Sequence, residues 1–113
     1  MQLEQIESEM LAGDILPARL GELRIILGAK YAQAMNQYED ILMQKPSIWN
    51  EMRKDYKSDT ATDRAWDATQ MGIKELHWKF QIKKIEKMMS ALKMQWEIVN
   101  TEIRNLTWYT EPT

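Results

Sequence analysis

Residues 71–106 read MGIKELHWKFQIKKIEKMMSALKMQWEIVNTEIRNL, and this stretch decides the fold. Apolar side chains recur in it every seven residues, and a second apolar row lies three or four residues from the first. Such spacing places both rows on one face of an α-helix. The stretch has no proline and only one glycine, Gly72, so it predicts one long helix with a continuous apolar seam. The first row is Met71, Trp78, Ile85, Leu92, Val99 and Leu106, and the second is Ile82, Met89, Trp96 and Ile103.

A second long helix is predicted over residues 17–45. Pro17 suits its first turn, where a backbone N–H would have no partner. Gly21 and Gly28 each weaken a helix by about 1 kcal/mol relative to alanine, so we expect another backbone to pack closely against them. The apolar positions of this helix also recur every seven residues: Leu20, Leu27, Ala34 and Ile41.

Two short helices complete the prediction. One lies near residues 2–12 and ends at Gly13. Pro46 predicts a break or kink, after which Ser47 caps a short helix over 48–57. Thr60 and Asp63 have the spacing of a capping box, so the long C-terminal helix is predicted over about 61–108. Residues 1–113 then form a single all-α domain, an antiparallel helical hairpin or bundle, with residues 110–113 as a disordered tail.

A second apolar stripe runs along nearly the opposite side of the long helix. A helix that is apolar on two sides must be covered on two sides, which predicts a homo-oligomer with a dimer as the default. The alternative is a helix that bends or breaks at Gly72 and folds back within one chain. The second stripe is Thr69, Ile73, Leu76, Phe80, Ala91, Met94 and Ile98. The predicted coiled-coil-like oligomer seam is Trp78, Ile85, Leu92, Trp96, Val99 and Ile103.

Composition limits the chemistry that this chain can perform. It has no cysteine, which excludes disulfides, thiol catalysis and thiolate metal sites. His77 is the only histidine, and its helical neighbours complete neither a metal site nor a catalytic triad. Asp59, Asp63 and Asp67 recur every four residues, but two of them fall where a helix dipole favours negative charge. We therefore predict no enzymatic activity, no metal and no cofactor.

The strongest candidate for a ligand site is the region from Arg53 to Arg64. This region combines basic side chains, hydroxyl groups and the free N–H groups of a helix start, which together can bind an anion such as the phosphate of a nucleotide. Aromatic side chains in the same region are suited to stacking on a base. Asp55, Asp59 and Asp63 lower the local potential, and helix capping alone also explains the hydroxyls. The candidate residues are Arg53, Lys54, Lys57, Ser58, Thr60, Arg64, Trp49, Tyr56 and Trp66.

A basic stretch over residues 74–93 is the second candidate. The net charge of the chain is −2, but this stretch has six lysines and two glutamates. Such a run is either a solvated helix face or a docking surface for an anionic partner. The candidate partner-binding residues of this basic face are Lys83, Lys84 and Lys87. No apolar run is long enough for a membrane span, and the acidic start MQLEQIESEM does not resemble a secretory signal, so a cytoplasmic location is expected.

Residues 57–69, KSDTATDRAWDAT, and residues 86–93, EKMMSALK, followed by Glu102 and Asn105, carry a resemblance. They are similar to a group of small all-helical bacteriophage proteins, especially of gut phages, with the patterns KSD-x-A-x-x-R-x-W/Y, SAL(K/R) and E-x-x-N. The likeness covers about the last 60 residues, and residues 17–46 echo it faintly. The chain departs from the pattern at the apolar Ile103 and Leu106. The resemblance implies phage origin and a bacterial cytoplasm, and it implies no particular activity.

Three functions are compatible with these features. The leading hypothesis is a non-enzymatic phage accessory protein of the counter-defence type. It would bind and inhibit or sequester a host component, either a protein or a nucleotide signal. The alternative is a nucleic-acid-binding accessory protein of phage recombination or replication, and a further alternative is a structural or scaffold protein.

Overall fold

A computed structural model describes the backbone of residues 1–110 and the side chains of residues 1–105. Within the described residues the fold consists of helices alone: α1 (Leu3–Ala12), α2 (Pro17–Arg53), α3 (Asp59–Ala68) and α4 (Gln70–Thr110). This confirms the all-α prediction, including two long helices that dominate the chain. Residues 111–113 of the predicted tail lie outside the described residues, whereas residue 110 ends α4.

The chain groups into two compact units. The terminal unit contains Met1–Lys30 and Ile85–Thr113, and the central unit contains Tyr31–Lys84. The first part of α2 thus belongs with the later part of α4, and the end of α2 belongs with the start of α4. This is the pairing of an antiparallel helical hairpin, as predicted.

The core of the terminal unit is supplied by all three of its helical segments. A tight loop joins α1 to α2, in which Gly13 and Asp14 have the positive φ angles of 75° and 52°. Glycine takes this conformation without steric cost, and aspartate is among the few other residues that tolerate it. The buried apolar side chains of this unit are Ile6, Leu20, Leu23, Leu27, Ile85, Met88 and Leu92.

Arg19 joins α1 to α2 at the surface of the terminal unit. Its guanidinium makes two bonds to Glu9, with Nε–Oε1 at 2.6 Å and Nη2–Oε2 at 2.9 Å, and a third to Glu22. The hydrogen bond from Arg19 holds the pKa of the Glu9 carboxyl below its usual value, against the smaller opposing effect of burial. The bonds to Glu9 and Glu22 in turn raise the pKa of Arg19.

The central unit is built around Trp66, which is only 1% exposed. Ala34 and Ile41 of α2 and Ile82 of α4 are also buried in this unit. Thr62 is its buried polar residue, and its hydroxyl donates to the carbonyl oxygen of Ser58 at 2.8 Å. The buried positions of α2 across both units include Leu20, Leu27, Ala34 and Ile41, so the predicted seven-residue pattern is confirmed.

The predicted break at Pro46 is wrong. α2 continues through Pro46 to Arg53, and no separate helix occupies residues 48–57. Proline removes only one backbone hydrogen bond, and the acceptor left over is the carbonyl of Leu42. Leu42 and Pro46 are both exposed, so water can bond that carbonyl. Ile41, which lies nearly on the opposite side of the helix, is buried, and this packing favours a continuous helix.

The long C-terminal helix also differs from the prediction at its start. Ser58, not Thr60, is the N-cap of α3, because its extended backbone lets its hydroxyl accept the N–H of Ala61 at 3.1 Å. The helix then breaks at Thr69, where ψ is 160°, and α4 begins at Gln70. It runs without interruption through Gly72.

Thr69 serves both helices at this break. Its hydroxyl donates to the carbonyl of Trp66 at 2.6 Å and accepts the N–H of Gly72 at 3.0 Å. Its backbone N–H also bonds the Trp66 carbonyl, at 2.9 Å. One threonine therefore caps the end of α3 and the start of α4, which satisfies backbone groups that a helix end leaves without partners.

The three helical glycines divide into two kinds. A Cβ atom on Gly72 would lie 1.9 Å from the carbonyl oxygen of Trp66, so only glycine permits the close approach of α4 to α3. A Cβ on Gly21 or Gly28 would meet nothing within 4 Å. The expectation of close packing at Gly21 and Gly28 is therefore wrong for the single chain, whereas close packing does occur at Gly72.

Candidate functional site

The region from Arg53 to Arg64 forms the end of α2, a connecting loop and the start of α3. Arg53 donates through Nε to Asp59 at 2.8 Å and through Nη1 to the carbonyl of Tyr56 at 2.6 Å. Lys54 pairs with Glu51 at 3.0 Å. The structure thus brings the predicted cations together with carboxylates. The Ser58 hydroxyl is occupied in capping, while Lys57, Thr60 and Arg64 are exposed.

The three aromatic rings of this candidate site have different surroundings. Trp49 is half-buried and donates its indole N–H to Asp63 at 2.9 Å, and Tyr56 is 41% exposed. Trp66 lies in the core, so it has no free face on which a base can stack. The expectation that Trp66 contacts a ligand is therefore corrected, because its ring fills the centre of the central unit. The anion-site role of the other residues stays a prediction.

Trp66 anchors a polar cluster that is not apparent from the sequence pattern. Its indole N–H donates to Glu75 Oε2 at 2.6 Å, and the second oxygen of that carboxylate accepts from Lys45 Nζ at 3.0 Å. The Lys45 amine also lies 5.3 Å from the centre of the Trp66 ring, within cation–π range. The nine-residue separation of Trp66 from Glu75 crosses the break at Thr69, so no single-helix pattern could reveal the contact.

The centre of the predicted oligomer seam belongs to the interior of the chain. Ile85 and Leu92 are 1% and 0% exposed, since α1 and α2 of the same chain provide the cover. Trp78 and Val99 are half-buried, and Trp96 and Ile103 are exposed. The seam as a whole is therefore not an interface between chains, because its centre is already used in the terminal unit.

The opposite stripe of α4 is uncovered. In the central unit, Ile73, Leu76 and Phe80 are 59%, 53% and 59% exposed. In the terminal unit, Met94 and Ile98 are 64% and 56% exposed, and they share one open face of α4 with Glu97, Thr101 and Glu102. The prediction of an apolar surface on this side of the helix is confirmed.

Lysines flank the uncovered stripe. Lys83 and Lys87, from the predicted basic face, are exposed, and Lys84 is half-buried. Lys79 is exposed and borders a recess of about 130 Å³ that Leu76 also lines. The rest of the lining of this recess is Lys45, Asp67, Gly72 and Glu75. In the central unit, α4 therefore presents a row of exposed apolar side chains with lysines beside it.

The described residues lack metal-binding clusters and membrane-spanning helices. They contain no group of three or more histidine, cysteine, aspartate or glutamate residues arranged to hold a metal ion. No helix among them is long and apolar enough to cross a membrane. Comparison with protein-family models, curated proteins and solved structures yields no match.

Proposed function

We propose that this chain is a non-enzymatic accessory protein of a bacteriophage that binds a protein of the bacterial host in the cytoplasm and inhibits or sequesters it. The observation that supports this most is the exposed apolar row on α4, formed by Ile73, Leu76 and Phe80. Burial of apolar surface in an interface stabilises a complex by roughly 25 cal/mol per Å². Clustered exposed apolar side chains are typical of protein-binding surfaces. The phage context rests on the sequence resemblance.

A protein target is better supported than a nucleotide signal. In the Arg53–Arg64 region, Arg53 and Lys54 are each within hydrogen-bond distance of a carboxylate. An incoming phosphate would have to compete with those carboxylates, and Trp66 is buried. The α4 surface needs no such rearrangement before an apolar partner can dock on it.

Self-association is part of the same proposal, with a dimer as the default. The terminal unit exposes apolar side chains on three helical segments: Leu11 by 81%, Ile25 by 76% and Met94 by 64%. We expect light scattering coupled to size exclusion to give twice the chain mass at micromolar concentration. Ile98→Glu should shift the mass toward one chain, whereas Met43→Glu, at a still more exposed position of the central unit, should not. A single-chain mass for the unmodified protein would refute this part.

Capture from a host lysate tests the binding role directly. The full chain is cross-linked to bound proteins, and native mass spectrometry then measures the mass and composition of the recovered complex. We expect one host protein at a fixed ratio to the bait, and we expect Phe80→Glu to lose it while Met43→Glu retains it. Recovery of the bait alone would refute the proposal.

Nucleic-acid binding is the second candidate, because five lysines of α4 are all exposed. A complex with DNA would weaken steeply as salt rises from roughly 50 to 200 mM, whereas an apolar protein interface would respond little. Charge reversal of Lys83, Lys84 and Lys87 together should abolish DNA retention and leave protein capture largely intact. DNA retention that survives this change would exclude the proposed DNA surface. The five lysines are Lys74, Lys79, Lys83, Lys87 and Lys93.

A further inference from the structure

We infer that the outer face of α4 in the central unit accepts an amphipathic helix with acidic flanks, contributed by the protein partner. This inference rests on the proposed function and specifies the partner of the same surface. It is carried by the combination of an uncovered apolar row with the exposed positive charge of Lys79 and Lys83 on one side of it.

The apolar row has the geometry of a helix-binding surface. Ile73, Leu76 and Phe80 are spaced by three and four residues, so they lie on one face over about two helical turns, or roughly 10 Å. Helices that dock on such rows present apolar anchors with the same spacing. The recess beside Leu76 and Lys79 lies at one edge of this row, because Lys45 of α2 and Asp67 of α3 also line it.

The charge around the row is positive. Residues 70–84 contain four lysines and one acidic residue, Glu75, whose two oxygens are bonded by Lys45 and Trp66. Lys79 and Lys83 are exposed and form no ion pair with any residue whose side chain is described. Asp67 is the other carboxylate that lines the recess. The exposed charge along this segment of α4 therefore comes from lysines, which favours a partner with carboxylates on its flanks.

Other occupants fit these features less well. A second copy that laid the same face of α4 on this one would bring Lys79 and Lys83 close to their own equivalents, and like charges in contact are unfavourable. A nucleic-acid backbone would match the lysines but would leave Ile73 and Phe80 without an apolar contact. An acidic amphipathic helix matches both the apolar row and the charge.

The test uses three fluorescent peptides of about 18 residues, long enough for five helical turns. The first has leucines at three- and four-residue spacing with glutamates on the flanks. The second replaces each glutamate with lysine, and the third scrambles the acidic sequence. Fluorescence anisotropy measures the binding of each peptide to the full chain at moderate salt, and a DNA duplex is added as a competitor.

The expected result is binding of the acidic helix at least about tenfold tighter than either other peptide. Phe80→Glu should weaken it by about tenfold or more, and Met43→Glu, on α2 of the same unit, should leave it unchanged. The double variant Lys79→Glu, Lys83→Glu should transfer the preference to the basic peptide, which separates a charge-matched site from a merely apolar one. Circular dichroism of every variant verifies that it is folded.

Several outcomes would overturn the inference. They are equal binding of the acidic and basic peptides, no effect of the double charge reversal, displacement of the peptide by the DNA duplex, and conversion of a dimer to single chains by Phe80→Glu. If Phe80→Glu still captures the host protein, the inference fails while the proposed function stands. If the unmodified chain captures no host protein, the proposed function fails whatever the peptides do.

Discussion

Replacing Gly72 by alanine should destabilise the protein, although alanine is the better helix former. In a helix with open space, this change stabilises by about 1 kcal/mol. At Gly72 the new methyl group would lie 1.9 Å from the carbonyl oxygen of Trp66 and 2.7 Å from its carbonyl carbon. That oxygen is held in place by two hydrogen bonds from Thr69. The two helices would have to separate by about 1 Å, and we expect overpacking to outweigh helix propensity by about 2 kcal/mol or more.

The assay is urea unfolding followed by far-ultraviolet circular dichroism, with Gly28→Ala as the matched control. A Cβ on Gly28 meets no atom within 4 Å, so this variant should be more stable by up to about 1 kcal/mol. Gly72→Ala should lower the midpoint and Gly28→Ala should raise it. Stabilisation by both changes would refute the close approach of α3 and α4. Destabilisation by Gly28→Ala would instead reveal a neighbour, such as a second chain, at that glycine.

Three further predictions concern particular hydrogen bonds. Thr69→Ala should lower the free energy of unfolding by about 1–2 kcal/mol, since it removes the hydroxyl that caps two helices, while Thr69→Ser should retain most of it. Equal loss in both variants would argue against the capping role. Glu75→Leu should cost about 1–3 kcal/mol, because the indole N–H of Trp66 would be buried without an acceptor. Urea unfolding checks both, with Glu75→Gln as the control that keeps an acceptor. Arg19 lowers the pKa of Glu9 in the folded state. The stabilisation of the fold by this ion pair is therefore complete above the unfolded-state pKa near 4.5, and it is lost as the pH falls through the lower folded-state pKa. Glu9→Gln should therefore flatten the loss of stability with acid below about pH 4.5, and an unchanged acid profile would contradict this.

Local patterns in the sequence predict most of the fold. The seven-residue recurrence of Leu20, Leu27, Ala34 and Ile41 identifies the buried face of α2, because helical period and core burial coincide there. The exposed stripe of α4 is predicted for the same reason. The break predicted at Pro46 does not occur. The packing of α2 at Ile41 outweighs the cost of one lost hydrogen bond, and this packing cannot be read from the sequence.

The break between α3 and α4 at Thr69 could not be predicted from local sequence patterns. At the break a backbone carbonyl of α3 lies against Gly72 of α4, which is a contact between residues of different helices. No proline or glycine lies between Thr60 and Thr69, so the capping signal at Thr60 predicts a single helix through this point. The pairing of Lys45 with Glu75, thirty residues apart, is hidden for the same reason.

The candidate binding surface could be predicted in part from the sequence. The apolar row Ile73, Leu76 and Phe80 follows from spacing, and the lysines beside it follow from composition. Which of the two apolar sides would be covered could not be predicted. That depends on the burial of Ile85 and Leu92 with α1 and α2, which is a property of the tertiary fold.

Phe80 is the only phenylalanine in the chain, and it belongs to the apolar row on which the partner helix is proposed to dock. A protein labelled with fluorophenylalanine therefore gives one fluorine NMR resonance that reports on this surface. For the dilute free protein, we predict more than half of the change in chemical shift between light and heavy water that a fully exposed ring gives, because Phe80 is 59% exposed, and a loss of that change when the acidic helix peptide is added. A ring shielded from solvent in the dilute free protein, or one that the bound peptide leaves unaffected, would contradict the claim that α4 offers this face to a partner.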